Sequence, residues 1–173
     1  LPPSDVNTKK RIGYLPELPY FYPYSTAPET LVYYAGLSGL SGSAARVRVG
    51  AVMEKVGLKP HASKKGSEFS KGMMQRLGVA QAVVHDPELL ILDEPVSGLD
   101  PLAIHEIREL ISGLNEDDKT VILSSHSISE LERVSDRVFI MVQGRLAKTV
   151  LRADWENAHG GLEEIFVRTV KQV

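Results

Sequence analysis

Leu89-Leu90-Ile91-Leu92-Asp93-Glu94 is the stretch whose reading decides the fold. Four apolar residues follow a turn at Asp86-Pro87 and run directly into two adjacent carboxylates. A short, wholly apolar run after a turn predicts a strand buried on both faces, as in a parallel sheet. Ligands of open α/β sheets bind beyond the carboxyl ends of the strands, which is where Asp93 and Glu94 fall. Successive strand residues face opposite ways, so the two carboxylates take different roles. One suits a hard cation such as Mg²⁺, and the other a water molecule. Taken alone, the hexapeptide reads equally as an acidic turn closing a strand.

Upstream lies Glu68-Phe69-Ser70-Lys71-Gly72-Met73-Met74-Gln75-Arg76. Ser70 reads as the cap of a helix with apolar positions at Met73, Met74, Leu77, Ala80 and Val84. A serine hydroxyl and a glycine backbone at a helix start form an anion site, because free N–H groups and the helix dipole favour phosphate. Gly72 allows close approach and Lys71 adds positive charge. By itself, Ser70 reads as a plain N-cap. Downstream, Ser97-Gly98-Leu99-Asp100 is a tight loop, and Asp100-Pro101 starts a helix faced by Ile104, Ile107 and Ile111. Thr120 to Ser124 is a second apolar strand expected to be buried, followed at once by His126. A histidine there can donate to a phosphate oxygen.

Farther out, the prolines Pro2, Pro3, Pro16, Pro19, Pro23 and Pro28 mark a loop around one apolar piece, Ile12 to Leu15. Thr26-Ala27-Pro28-Glu29 has capping-box spacing and opens a helix to about Leu37. Ala45, Val49, Val52, Met53 and Val56 share a helix face that ends at Gly57. Residues 58–68 read as a polar loop. Ser127 to Glu130 is a second capping box, Val138–Val142 and Leu146–Val150 flank a turn at Gln143-Gly144, and Leu162, Ile165 and Phe166 mark a small final helix. Helices alternating with buried strands give an α/β domain.

Composition narrows the function. The formal charge of -2 and a pI near 6.2 argue against a nucleic-acid partner. No apolar run approaches the roughly 18 residues of a membrane span. There is no cysteine, so no disulfide or thiolate metal site exists, which fits a reducing compartment. The chain opens on Leu1 rather than methionine, so a processed or truncated product is expected.

Order and spacing do what no single motif does. Helix start, acidic strand, Ser-Gly-Leu-Asp loop and strand-terminal histidine follow one another between Ser70 and His126, and the combination resembles the ABC ATPase family over essentially the whole chain. Phe69 to Met73 is similar to that family's signature motif, Leu89 to Glu94 to its Walker B strand, Ser97 to Asp100 to its D-loop, His126 to its switch histidine, and Ile12 to Glu17 to its Q-loop region. Leu162 to Phe166 is similar to the tail of subunits that drive two-component exporters. The resemblance implies the distal part of an ABC-type P-loop ATPase domain: a helical signature subdomain (residues 26–85), part of a mostly parallel core sheet (86–150) and a tail helix (151–173), together one partial domain (1–173).

It also implies roles. Asp93 holds Mg²⁺, Glu94 polarises the attacking water and His126 contacts the γ-phosphate of ATP. Ser70 and Gly72, with Lys71 beside them, contact ATP bound to an opposite subunit. Asp100 communicates between the two sites, and Glu17 approaches the metal. The implied partners are a transmembrane permease subunit and a second ATPase subunit, identical or not, at the cytoplasmic face of the cell membrane.

Three departures matter. No G-x-x-x-x-G-K-[ST] loop occurs in these residues, so a fragment or a relic that does not cradle phosphates is expected, and a non-hydrolysing interaction module is the rival reading. Glu17 stands where the family more often has glutamine. Lys71 and Met73 replace the glycine and glutamine of the commonest signature. In the implied sheet, Leu89–Leu92 lies between Ile12–Leu15 and Thr120–Ser124. The far side of Thr120–Ser124 is expected to lack a neighbour, a gap closed by Val138–Val142, by another chain or by local disorder.

Overall fold

The computed structural model describes residues 5–116 and 119–172, and the chain divides into two compact units between Ser124 and Ser125. That division falls inside the stretch 86–150. In the first unit, Asp5 caps a short helix α1 (Val6–Lys10) by accepting from the Asn7 amide at 3.1 Å. The expectation of loop through the proline-rich opening is corrected there. Strand β1 (Ile12–Leu15) follows, then helices α2 (Ala27–Leu37), α3 (Gly42–Lys55) and α4 (Lys71–Val83). Strand β2 (Leu89–Leu92), helix α5 (Pro101–Glu116) and strand β3 (Thr120–Leu123) complete it. The loop expected at 58–68 contains two short 3-10 turns, Lys59–His61 and Gly66–Glu68.

The capping box of α2 forms as expected, with the Thr26 amide donating to Glu29 at 2.8 Å and the Glu29 amide donating to Thr26 Oγ1 at 3.4 Å. Leu31, Val49, Val52, Leu58 and Leu77 interlock as one apolar core, each buried. A leucine taken fully out of water contributes about 1.5–3 kcal/mol before conformational entropy is counted. Helix α4 lies hard against β1: a Cβ on Gly13 would fall 2.1 Å from the Ala82 carbonyl oxygen, so only glycine lets the backbones approach this closely.

The sheet runs β1-β2-β3, all parallel, with Gly13, Leu90 and Val121 in register and Tyr14, Ile91 and Ile122 in the next row. Leu15, Leu90 and Leu92 are buried on the face that packs on the helices. The opposite face is open among the described residues, with Tyr14 49% and Ile122 51% exposed. The expectation of strands buried on both faces is corrected for this face: period-2 alternation in exposure replaces the uniform burial that an all-apolar run suggested. Among the described residues, β3 pairs with β2 alone.

The second unit holds α6 (Ile128–Val134), β4 (Arg137–Val142), β5 (Arg145–Leu151), α7 (Arg152–Glu156) and α8 (Gly161–Lys171). Strands β4 and β5 form an antiparallel hairpin of their own, so Val138–Val142 pairs with β5 and not with β3. At its tip Gln143 and Gly144 take φ of 49° and 77°, as a tight two-residue hairpin turn requires. Val138, Ile140, Val150, Trp155 and Leu162 make its core. The second capping box fails: Ser127 precedes α6, but its hydroxyl bonds Ser129 Oγ at 3.2 Å and makes no cap bond. Among the described residues no helix is long and apolar enough to cross a membrane.

Candidate functional site

The parallel register carries three chain segments past the same edge of the sheet. The Asp93 amide donates to Leu15 O at 2.8 Å and the Ser124 amide donates to Leu92 O at 3.0 Å, extending both ladders one residue beyond the strands. Asp93 and Ser124 therefore stand side by side. Ser124 Oγ donates to Asp93 Oδ1 at 2.6 Å and accepts from the Glu94 amide at 2.9 Å. One hydroxyl thus fixes both the carboxylate of one acid and the backbone of the next.

Glu94 does not continue the strand. Its φ is +45°, a left-handed conformation that costs a residue with a Cβ and that persists where surrounding bonds over-determine it. The alternation predicted for Asp93 and Glu94 stops here, and the chain turns instead, with the Ser97 amide donating to Glu94 O at 3.1 Å. Ser97 Oγ also donates to Glu17 Oε1 at 3.3 Å, which brings the segment after β1 to the same edge. Asp93 and Ser124 offer oxygen donors side by side, and among the described residues no three His, Cys, Asp or Glu side chains gather as a metal site. Mg²⁺, which keeps several waters and takes one or two carboxylates beside phosphate oxygens, suits such donors.

The other sequence-singled residues gather at two adjoining helix starts. Ser70 Oγ accepts from the Met73 amide at 3.2 Å and caps α4, while Asp100 Oδ1 accepts from the Leu102 and Ala103 amides at 3.0 Å each and caps α5. The two starts are packed together, since a Cβ on Gly72 would lie 3.2 Å from Ala103 Cβ. A cleft of about 170 Å³ opens between them, lined by His61, Ser70, Gly72, Arg76, Asp100 and Glu106. Lys71 is turned across to the loop before α5: its Nζ would be 2.2 Å from a Cβ on Gly98, whose φ is +62°. Its charge therefore sits over the Ser97–Asp100 loop. His126 lies two residues beyond Ser124, exposed, in the second unit.

Sequence reasoning passed over Ser124, which it quoted only as the approach to His126. The signal was present: a hydroxyl residue one step past an apolar strand, opposite an acid one step past its parallel neighbour. Nothing in the sequence announces the left-handed turn at Glu94, where glutamate has no intrinsic preference for that conformation.

Comparison with known proteins gives consistent relatives. The family model described as "ABC transporter" matches residues 3–97, and one described as "AAA domain, putative AbiEii toxin, Type IV TA system" matches residues 64–132. An uncharacterized ABC transporter ATP-binding protein of Synechocystis is 44% identical over 147 residues, which is 84% of this chain and 42% of that protein. The bacitracin transport ATP-binding protein of Bacillus licheniformis is 44% identical over 82% of this chain and 45% of its own length. The linearmycin resistance ATP-binding protein of Bacillus subtilis is 39% identical over 88% of this chain and 49% of its own. The chain thus spans less than half the length of these relatives. A solved ATP binding subunit of an ABC transporter superposes with a TM-score of 0.79 at 30% identity, covering 95% of this chain and 70% of that one.

Proposed function

This chain belongs to the ABC transporter family, and we propose that it furnishes hydrolytic and coupling elements of an ATPase that drives transport across a membrane. The reading rests on one observation above the others: Ser124 joins Asp93 and the Glu94 backbone at the carboxyl edge of three parallel strands. Asp93, beside the Ser124 hydroxyl, is the residue to hold Mg²⁺ through its water shell, with Glu17 as a further oxygen donor. Mg²⁺, when bound, neutralises charge on the β- and γ-phosphate oxygens. Glu94 accepts a proton from the attacking water and orients it for in-line displacement at the γ-phosphorus. His126 donates to a γ-phosphate oxygen.

Ser70 and Gly72 present the start of α4 to ATP held by a second ATPase subunit, and Asp100 relays between the two sites. Lys71 acts on the Ser97–Asp100 loop in this scheme. These 173 residues include no G-x-x-x-x-G-K-[ST] loop, so cradling of the triphosphate is not attributed to them. The membrane partner is a permease subunit, and the site of action is the cytoplasmic face of the membrane. No nucleic acid takes part, in keeping with the slightly acidic charge balance.

Glu94→Gln tests the reading in the ATP-hydrolysing assembly. The amide accepts no proton, so turnover falls by about a thousandfold, within the range of losing general-base catalysis. Nucleotide binding and the melting temperature are retained. Wild-type turnover in that variant would remove Glu94 from catalysis and the proposed function with it.

A further inference from the structure

Arg76 is where three helices meet. It lies on α4 about one and two-thirds turns past Ser70, and its guanidinium pairs with Glu106 on α5. The same guanidinium sits against the glycine that ends α3, since a Cβ on Gly57 would be 3.0 Å from Arg76 Nη1. Its side chain is 21% exposed and that of Glu106 41%, so the pair is partly withdrawn from water. The pair lines the same cleft as Ser70, Gly72 and Asp100. Beside Ser70 and Asp100, Gly72 packs against Ala103 and Lys71 lies over Gly98.

We propose that Arg76 and Glu106 are positioning residues that lock the starts of α4 and α5 into one rigid edge. The inference rests on the proposed function, because it assigns that edge to the second subunit's ATP. Ser70 and Asp100 each spend their side chains capping their own helix, so neither cap ties the two starts to each other. An arginine is suited to the lock because its planar, permanently charged fork has several donors in fixed directions. A lysine in its place keeps the charge and loses the fork. With the lock broken, the two starts shift independently, and small misplacements of groups facing a reacting phosphate are costly.

The test uses the ATP-hydrolysing assembly carrying Glu106→Gln, Arg76→Lys, or the exchanged pair R76E/E106R, with Glu94→Gln in parallel. Each single change is expected to lower kcat roughly tenfold, the scale of a sub-ångström to ångström misplacement. KM for ATP and the melting temperature stay near wild type, the exchanged pair recovers part of kcat, and amide exchange quickens at both Met73 and Ala103. Unchanged kcat in the single variants, while Glu94→Gln stops turnover, overturns the lock and leaves the proposed function standing. A kcat loss that simply follows a lowered melting temperature also overturns it, as the pair then serves stability alone. Full turnover in Glu94→Gln removes the underlying function, and the lock falls with it.

Discussion

The helices α2 to α4 and the three-stranded sheet are built from similarly apolar residues, yet they finish their burial differently. The helical segment has a closed interior, shared with one face of the sheet: Leu31, Val49, Val52, Leu58 and Leu77 have scarcely any exposure, while Val32, Tyr33, Leu37 and Val47 face outward. The sheet closes on one face only, where Leu90 and Leu92 meet the helices, and leaves Tyr14 and Ile122 about half exposed on the other. Apolar content therefore does not predict burial in this molecule. What decides it is whether a second element lies opposite, and the difference is worth several kcal/mol per side chain on one face and little on the other.

Truncation in the helical segment is the largest test of that contrast. Leu77→Ala removes a side chain that is 1% exposed, and a cost of about 3 kcal/mol is expected from lost transfer energy plus the cavity left behind. Urea unfolding of the purified chain measures it. A loss below about 1 kcal/mol would mean that the segment collapses around the gap and is less tightly closed than its burial indicates.

The sheet gives the next test, a matched pair within it. Leu90→Ala should cost about 2–5 kcal/mol, whereas Ile122→Thr, with a β-branched residue of good strand propensity on the open face, should cost less than about 0.5 kcal/mol. Equal losses would show that the open face is covered in solution, for instance by another copy. An open apolar strand at a sheet edge is an invitation to such pairing, and sedimentation at rising concentration separates the two cases.

The smallest effect lies at the seam between the two regions. His85, just after α4, sets its Nε2 3.1 Å from the Ile12 carbonyl oxygen. Burial holds its imidazole below the ordinary value, partly opposed by that hydrogen bond, with Arg48 and Lys119 also lowering it and Asp86 raising it. The folded value lies under the unfolded one, so the neutral form is favoured in the fold. The resulting stability is fully present above the ordinary imidazole pKa of about 6.5 and is lost as pH falls through the folded value. Acidification from about pH 7 to about pH 5 should lower the melting temperature modestly, and His85→Gln should remove that part of the pH dependence. Asp86 does not confuse the window: its bond from Lys119, outweighing its partial burial and helped by Arg48, holds it below the usual carboxylate range. No difference between His85→Gln and wild type would mean that the seam is open to water.

Much of this was legible in the sequence, and the reasons are local. Thr26, Ser70 and Asp100 advertise helix starts because a cap is a contact between residues two or three apart. Gln143-Gly144 announces a hairpin because few residue pairs tolerate two positive φ values. Leu89 to Leu92 announces a strand, and its parallel partners follow. What stayed hidden depends on partners distant in sequence or absent from it. The open face of β3 could not be told from a buried one, since four apolar residues look the same in either setting. The hydroxyl of Ser124 reaches Asp93 across 31 positions, and Arg76 reaches Glu106 across 30. Ser127 to Glu130 has the letters of a capping box, yet the Ser127 hydroxyl bonds Ser129 and makes no cap bond. Helix α1 was masked by its proline-rich surroundings.

The left-handed backbone at Glu94 sets selection for durability against selection for work. Gln143 adopts the same kind of conformation, with φ of 49° against 45°, in a hairpin tip that carries none of the proposed chemistry. At both positions glycine or asparagine relieves the strain between the side chain and its own backbone. At 143 that relief is free, and such a change accumulates harmlessly in any lineage or screen that rewards heat resistance. At 94 the same relief removes the carboxylate. A library chosen for thermal endurance alone therefore drifts toward inert proteins at one position and improved ones at the other, from a single backbone preference.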